Sequence, residues 1–135
     1  MRCLALVPFL ALSSFPSLAQ DSEQYRACSE KAKTQNEANA CASEEAARVD
    51  AELNDIYSTL LSRAASQPGA AAKIKAAERA WIAYRDAYID AMYPAKDKQA
   101  EYGSVYPMEV DFLRAKLTRQ QVAALKELLR QYGSN

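Results

Sequence analysis

Apolar side chains recur every three or four positions along most of this chain, and no run of alternating apolar and polar residues persists. That spacing predicts helices and argues against strands. A short first helix is expected over residues 22–33. A second starts after Thr34 and runs to about Ser66, burying Ala38, Cys41, Val49, Leu53, Ile56, Tyr57, Leu60 and Ala64 along one stripe. Pro68-Gly69 then turns the chain. A third helix over residues 70–92 repeats the pattern with Ile74, Ala77, Trp81, Tyr84, Tyr88 and Met92, and Pro94 closes it. Residues 94–106 form the one long irregular stretch. Pro107 suits the first turn of a fourth helix that reaches about Lys116. Thr118-Arg119-Gln120-Gln121 reads as a capping box launching a last helix, which carries Val122, Leu125, Leu128 and Leu129 and stops at Gly133. The fold class is therefore all-α. It is a small helical bundle built on an antiparallel hairpin of two long helices, with short helices at both ends.

The N-terminus departs from this pattern. Arg2 precedes an apolar run from Cys3 to Leu12, and Ser17-Leu18-Ala19 places small residues where a signal peptidase needs them. Residues 1–19 are thus expected to be a signal peptide cleaved near Ala19. Ser13, Ser14 and Pro16 break the apolar stretch well short of the roughly 20 residues that span a bilayer. Gln20 follows the cleavage point, so a lipid anchor is not expected. Residues 20–135 then form a single domain that is periplasmic or secreted. Of the 17 basic side chains only Arg2 lies in the signal, which leaves 16 against 17 acidic ones. A formal charge of −1 supplies no field for nucleic acid or anionic lipid. No membrane span remains after cleavage.

Export gives the cysteines meaning. Cys28 and Cys41 are the two that remain, and an oxidising compartment favours their pairing. In one straight helix their Cα atoms would lie about 20 Å apart, whereas a disulfide needs roughly 7 Å or less. Either the helix breaks between them or the bond joins two chains. Thr34-Gln35-Asn36-Glu37 is a capping-box pattern and supplies the break, which favours the bond within one chain.

The chain has no histidine, so Ser-His-Asp and Cys-His nucleophiles cannot be built and the commonest zinc ligand is missing. Its three glycines form no phosphate loop. Glu44-Glu45, Asp50, Glu52 and Asp55 read as a solvated helix face rather than a hydrolytic carboxylate pair. No enzymatic activity, cofactor or metal is expected.

Two groups of residues stand out. Trp81 and Arg85 are four apart and share a helix face with reach for contact. With Tyr84, Asp50 and Asn54 they read as a structural polar and core cluster. In that reading Trp81 anchors the core, Arg85 pairs with a carboxylate such as Asp50, and Asp50 and Asn54 bond across the hairpin. A recognition patch is the alternative. The second group lies in the 94–106 stretch. Lys96, Lys98, Tyr102, Gly103, Ser104 and Tyr106 are candidate partner contacts, because tyrosines are enriched at interfaces and Gly103 permits close approach. The alternative there is a connector whose tyrosines, with Tyr93, pack back on the bundle.

Several spaced motifs run through the chain. They are Tyr25-x-x-Cys28, Thr34-Gln35-x-x-x-Asn39-x-Cys41-Ala42 and Asp50-x-Glu52-Leu53-Asn54-x-x-Tyr57. They continue with Ala80-Trp81-Ile82-x-Tyr84-Arg85-Asp86-Ala87 and end with Leu117-Thr118-Arg119 followed by Leu125. In order and spacing they resemble the LprI-like lysozyme-inhibitor domain, a group of small exported helical proteins, over nearly all of residues 25–130. The resemblance implies a protein-binding domain that inhibits lysozyme, the muramidase that cuts cell-wall glycan, by blocking its glycan cleft. No contact residue follows from the resemblance; on chemical grounds a loop carrying Tyr102, Gly103, Ser104 and Tyr106 would fill such a cleft, with Lys96 or Lys98 meeting its carboxylates. Members usually carry a further cysteine pair, and here Tyr88 and Asp111-Phe112-Leu113 stand at about those places. The 94–106 segment is then expected to lack a covalent tie. Two other roles compete with inhibition: an envelope scaffolding module that binds another exported protein, and a glycan-binding domain.

Overall fold

The structure is a computed structural model that describes residues 21–133. The expected signal peptide lies outside the described residues. Helix α1 (Glu23–Ser29) starts at Ser22, whose hydroxyl accepts from the Tyr25 N–H at 3.0 Å. The chain leaves the helix after Ser29, earlier than the periodicity predicts, and restarts at Thr34. There the capping box forms as the sequence predicts. The Glu37 N–H donates to Thr34 Oγ1 at 3.2 Å, and the Thr34 N–H donates to the Glu37 carboxylate at 3.0 Å. Helix α2 (Gln35–Ala64) follows. Gly69 adopts a left-handed φ of 77°, a conformation that costs glycine least, and α3 (Ala70–Met92) runs back from it.

The three long helices run up, down and up. α2 and α3 make the antiparallel hairpin. The last helix, α5 (Tyr106–Gly133), runs parallel to α2, with Gln35 beside Met108, Asp50 beside Thr118 and Glu52 beside Lys126. The α2–α5 pair is the most extensively packed in the molecule. Leu53, Leu60, Ala64, Ala70, Ile74, Val122 and Leu125 form the core nearest the α2–α3 turn. At the opposite end α1 closes the bundle. Tyr25 meets Phe112 edge to face at 4.8 Å, and Cys28 is bonded to Cys41 within the chain, with Cα atoms 5.7 Å apart.

Three expectations need correction. The fourth and last helices are one continuous helix. Thr118 is fully buried and turns its hydroxyl to Asp50 Oδ1 at 3.3 Å, so a tertiary partner takes the side chain that would have capped a new helix. The stretch after Pro94 is not all irregular either. It holds α4 (Lys98–Tyr102), capped by Asp97 accepting from the Ala100 N–H at 2.9 Å, and a single 3-10 turn at Gly103–Val105. Finally, α3 does not bury its whole expected stripe. It packs closely on α2 near the turn and splays away below it. Ile89 turns instead toward Val110 and Leu117 on α5, and Tyr84, Tyr88 and Met92 are left outside.

Candidate functional site

The splay opens a cleft between α2 and α3. Asp50, Leu53, Asn54 and Tyr57 line it from α2, and Glu78, Trp81, Ile82 and Arg85 face them from α3. The fourfold spacing of these positions puts them on facing stripes, as an antiparallel pair requires. The fold thus brings Asp50, Asn54, Trp81 and Arg85 together around a cavity, and Trp81 packs against the core near the turn as expected. Arg85 does not pair with Asp50. Its guanidinium binds its neighbour Asp86 at 2.9 Å and lies over the Trp81 ring, 5.2 Å from the centroid. Asn54 makes no bond across the hairpin and is exposed. Tyr84 stands apart from the cluster on the outer side of the helix, 56% exposed.

On that outer side Tyr84, Tyr88 and Met92 follow one another at intervals of four. Tyr88 is 39% and Met92 53% exposed, and the two tyrosine rings are 5.9 Å apart. Four-residue spacing sets such side chains in one row along a helix. The periodicity marked these positions as apolar but assigned them to the core.

The row leads toward the 94–106 segment. Tyr93, Tyr102 and Tyr106 form a trio there, with Tyr93 edge-on to the other two at 5.3 and 5.2 Å and Tyr102 stacked on Tyr106 at 5.6 Å. Tyr102 Oη accepts from the Ala95 N–H at 3.1 Å, and Lys98 Nζ donates to the Tyr93 carbonyl. Asn39 on α2 donates to the Ser104 carbonyl at 3.0 Å, and Gly103 takes a φ of 71° to make the turn. Burial, and then the Glu109 carboxylate, holds the Tyr93 hydroxyl above its ordinary pKa. Of the six residues singled out in this segment, four are therefore occupied with the bundle: Lys98 through its amine, Tyr102 and Tyr106 through their rings, and Ser104 through its carbonyl. Lys96 is exposed and bonded to nothing among the described residues.

This trio supplies non-covalent ties in a segment without a disulfide. Tyr93→Ala is expected to expose residues 94–106 to limited proteolysis while the far-ultraviolet circular dichroism stays helical. Unchanged resistance would mean that Lys98 and Asn39 hold the segment without the ring contacts.

The main polar feature that sequence reasoning missed is Glu45. It reads as one of several solvated acids, yet it is 1% exposed. Arg48 binds it at 2.6 Å, Arg119 of α5 pairs with it, and both the backbone N–H and hydroxyl of Ser22 donate to it. One carboxylate thus joins α1, α2 and α5. Desolvation pushes its pKa up, but the Ser22, Arg48 and Arg119 interactions together outweigh that and hold it below the ordinary value. Glu45 falls one turn beyond Cys41 on the stripe that faces α1 and α5, and that position is the signal that could have found it.

Among the described residues no cluster of three acidic or sulfur ligands converges as a metal site would need. No helix among them is long and apolar enough to cross a membrane.

The sequence profile of the family described as "Lysozyme inhibitor LprI" matches residues 28–125. The chain is also 32% identical to an uncharacterized protein of Rhizobium meliloti (strain 1021), in an alignment covering 93% of this chain and 95% of that one. No solved structure matches it.

Proposed function

The chain belongs to the lysozyme-inhibitor LprI family, and from that membership we propose that it is an exported protein that binds a muramidase and inhibits it by covering the glycan cleft. The observation that carries a contact surface is the row of Tyr84, Tyr88 and Met92 on α3, large apolar side chains with no core to fill. Tyrosine is the residue type that most often anchors a protein interface, because it offers a large apolar body and a polar tip at low entropic cost. Lys96, just beyond the end of this row, supplies a free cation for the carboxylates of a glycan-cutting cleft. The tyrosine trio behind Lys96 keeps that end of the surface in shape before binding, which reduces the ordering cost of association. Such a role needs no reactive group of the chain's own.

The test is a titration of several muramidases with the processed protein, beside a Tyr84→Ala/Tyr88→Ala/Met92→Ala variant. Stoichiometric loss of activity is expected with the native protein. The variant substitutes exposed positions, so it should fold normally and inhibit at least about 100-fold more weakly, as loss of a central anchor cluster of about 3 kcal/mol implies. No inhibition of any muramidase by the native protein would contradict the proposal. If a stable exported partner were then recovered, the scaffolding role would take its place.

A further inference from the structure

The cleft between α2 and α3 has no part in the proposed muramidase contacts, and its walls have a distinct chemistry. Its volume is about 310 Å³, at the lower end of the roughly 300–1,000 Å³ of small-ligand sites. Glu78 borders it at 6% exposure. One carboxylate oxygen accepts from Gln121 Nε2 at 2.8 Å, and no cation pairs with it among the described residues. Asp50 likewise spends one oxygen, on Thr118, and has no ion pair. The second oxygen of each has no partner among the described residues and is not sealed from solvent. Lys75 and Arg79 also border the cleft, and among the described residues neither is paired and the Asn54 amide makes no hydrogen bond. Leu53, Trp81 and Ile82 add apolar surface between these groups.

Both signs of charge thus line one small cavity beside an indole. An anionic ligand meets Asp50 and Glu78, and a cationic one meets Lys75 and Arg79. A neutral polyol meets no like charge. Each of its hydroxyls both donates and accepts, so carboxylate and ammonium walls serve it equally, with charge-assisted bonds. We propose that this cleft binds a neutral saccharide, with its C–H groups beside the part of Trp81 that neither the core nor the overlying Arg85 covers, and its hydroxyls on Asp50, Asn54 and Glu78. The site is separate from the α3 row, so this binding neither requires nor excludes inhibition.

Trp81 is the chain's one tryptophan, and its fluorescence, excited at the red edge where tyrosine does not absorb, reports on the cleft. The full processed protein is titrated with cellobiose, di-N-acetylchitobiose, arginine and glutamate, each alone. A saturable change in emission is expected with a disaccharide and not with either amino acid. Asn54→Ala, at an exposed helical position, should keep its helical circular dichroism and bind that disaccharide roughly three- to tenfold more weakly. Silence with both disaccharides overturns the proposal, as does a response to arginine or glutamate alone. Unchanged sugar affinity in Asn54→Ala also overturns it, by placing the sugar elsewhere. Muramidase activity is read in a different assay, so failure here is distinguishable from failure of the inhibitor reading.

Discussion

Replacing Cys28 and Cys41 by serine is expected to lower the stability of the fold by about 3 kcal/mol, the chain-entropy value for a short closed loop. The bond spans 13 positions and joins α1 to the first turns of α2. Without it the unfolded chain regains the freedom that the crosslink denies it. α1 is also only seven residues long, too short to persist as a helix alone. Its remaining attachments include the packing of Tyr25 on Ala42 and Phe112 and the Ser22–Glu45 bonds. In a domain of this size the loss corresponds to a melting temperature lower by roughly 10–20 °C. Calorimetry of the oxidised protein and the double-serine variant measures it. A change under about 1 kcal/mol would mean that packing alone holds α1 in place.

Glu45→Ala is expected to cost a similar amount, about 3 kcal/mol. Removing one member of a buried pair strands the charge of the other. Here Arg119 and Arg48 lose their shared acceptor, and the Ser22 N–H and hydroxyl lose theirs. Both arginines retain some access to water, which keeps the cost at the lower end for a buried pair. The pH dependence follows from the depressed pKa of Glu45. A carboxylate whose folded pKa lies below its unfolded value stabilises the fold fully above that unfolded value, about 4.3. The contribution disappears as pH falls through the folded pKa. Denaturant unfolding of the native protein and Glu45→Gln should therefore differ most at neutral pH and converge in acid. A constant difference across that range would show that the Glu45 pKa is the same in the folded and unfolded chain, contrary to the depressed value.

These two predictions separate what local pattern conveys from what it does not. The helical class, the Thr34 capping box and the Cys28–Cys41 bond were open to sequence reasoning, because each is set by residues near one another in the chain. The Thr118 pattern misled for a physical reason. Asp50 lies 68 positions away, and a tertiary hydrogen bond to it took the hydroxyl that a local cap would have used. Glu45 escaped notice in the same way, since its arginine and serine partners come from three segments. The row of Tyr84, Tyr88 and Met92 shows a different limit. Periodicity says that a face is apolar, and only the splay of α3 from α2 decides whether a neighbour covers it. In the 94–106 segment Tyr102 and Tyr106 proved to hold each other, which leaves Lys96 as its outward-facing cation.

Amide hydrogen exchange of the processed protein, alone and with an equimolar muramidase that it inhibits, tests the central claim most directly. The account predicts new protection confined to the α3 row and the residues following it, from about Tyr84 to Lys96, with α2 and the C-terminal half of α5 unchanged. Protection centred on α1 or α5, with the α3 row exchanging as in the free protein, would contradict it.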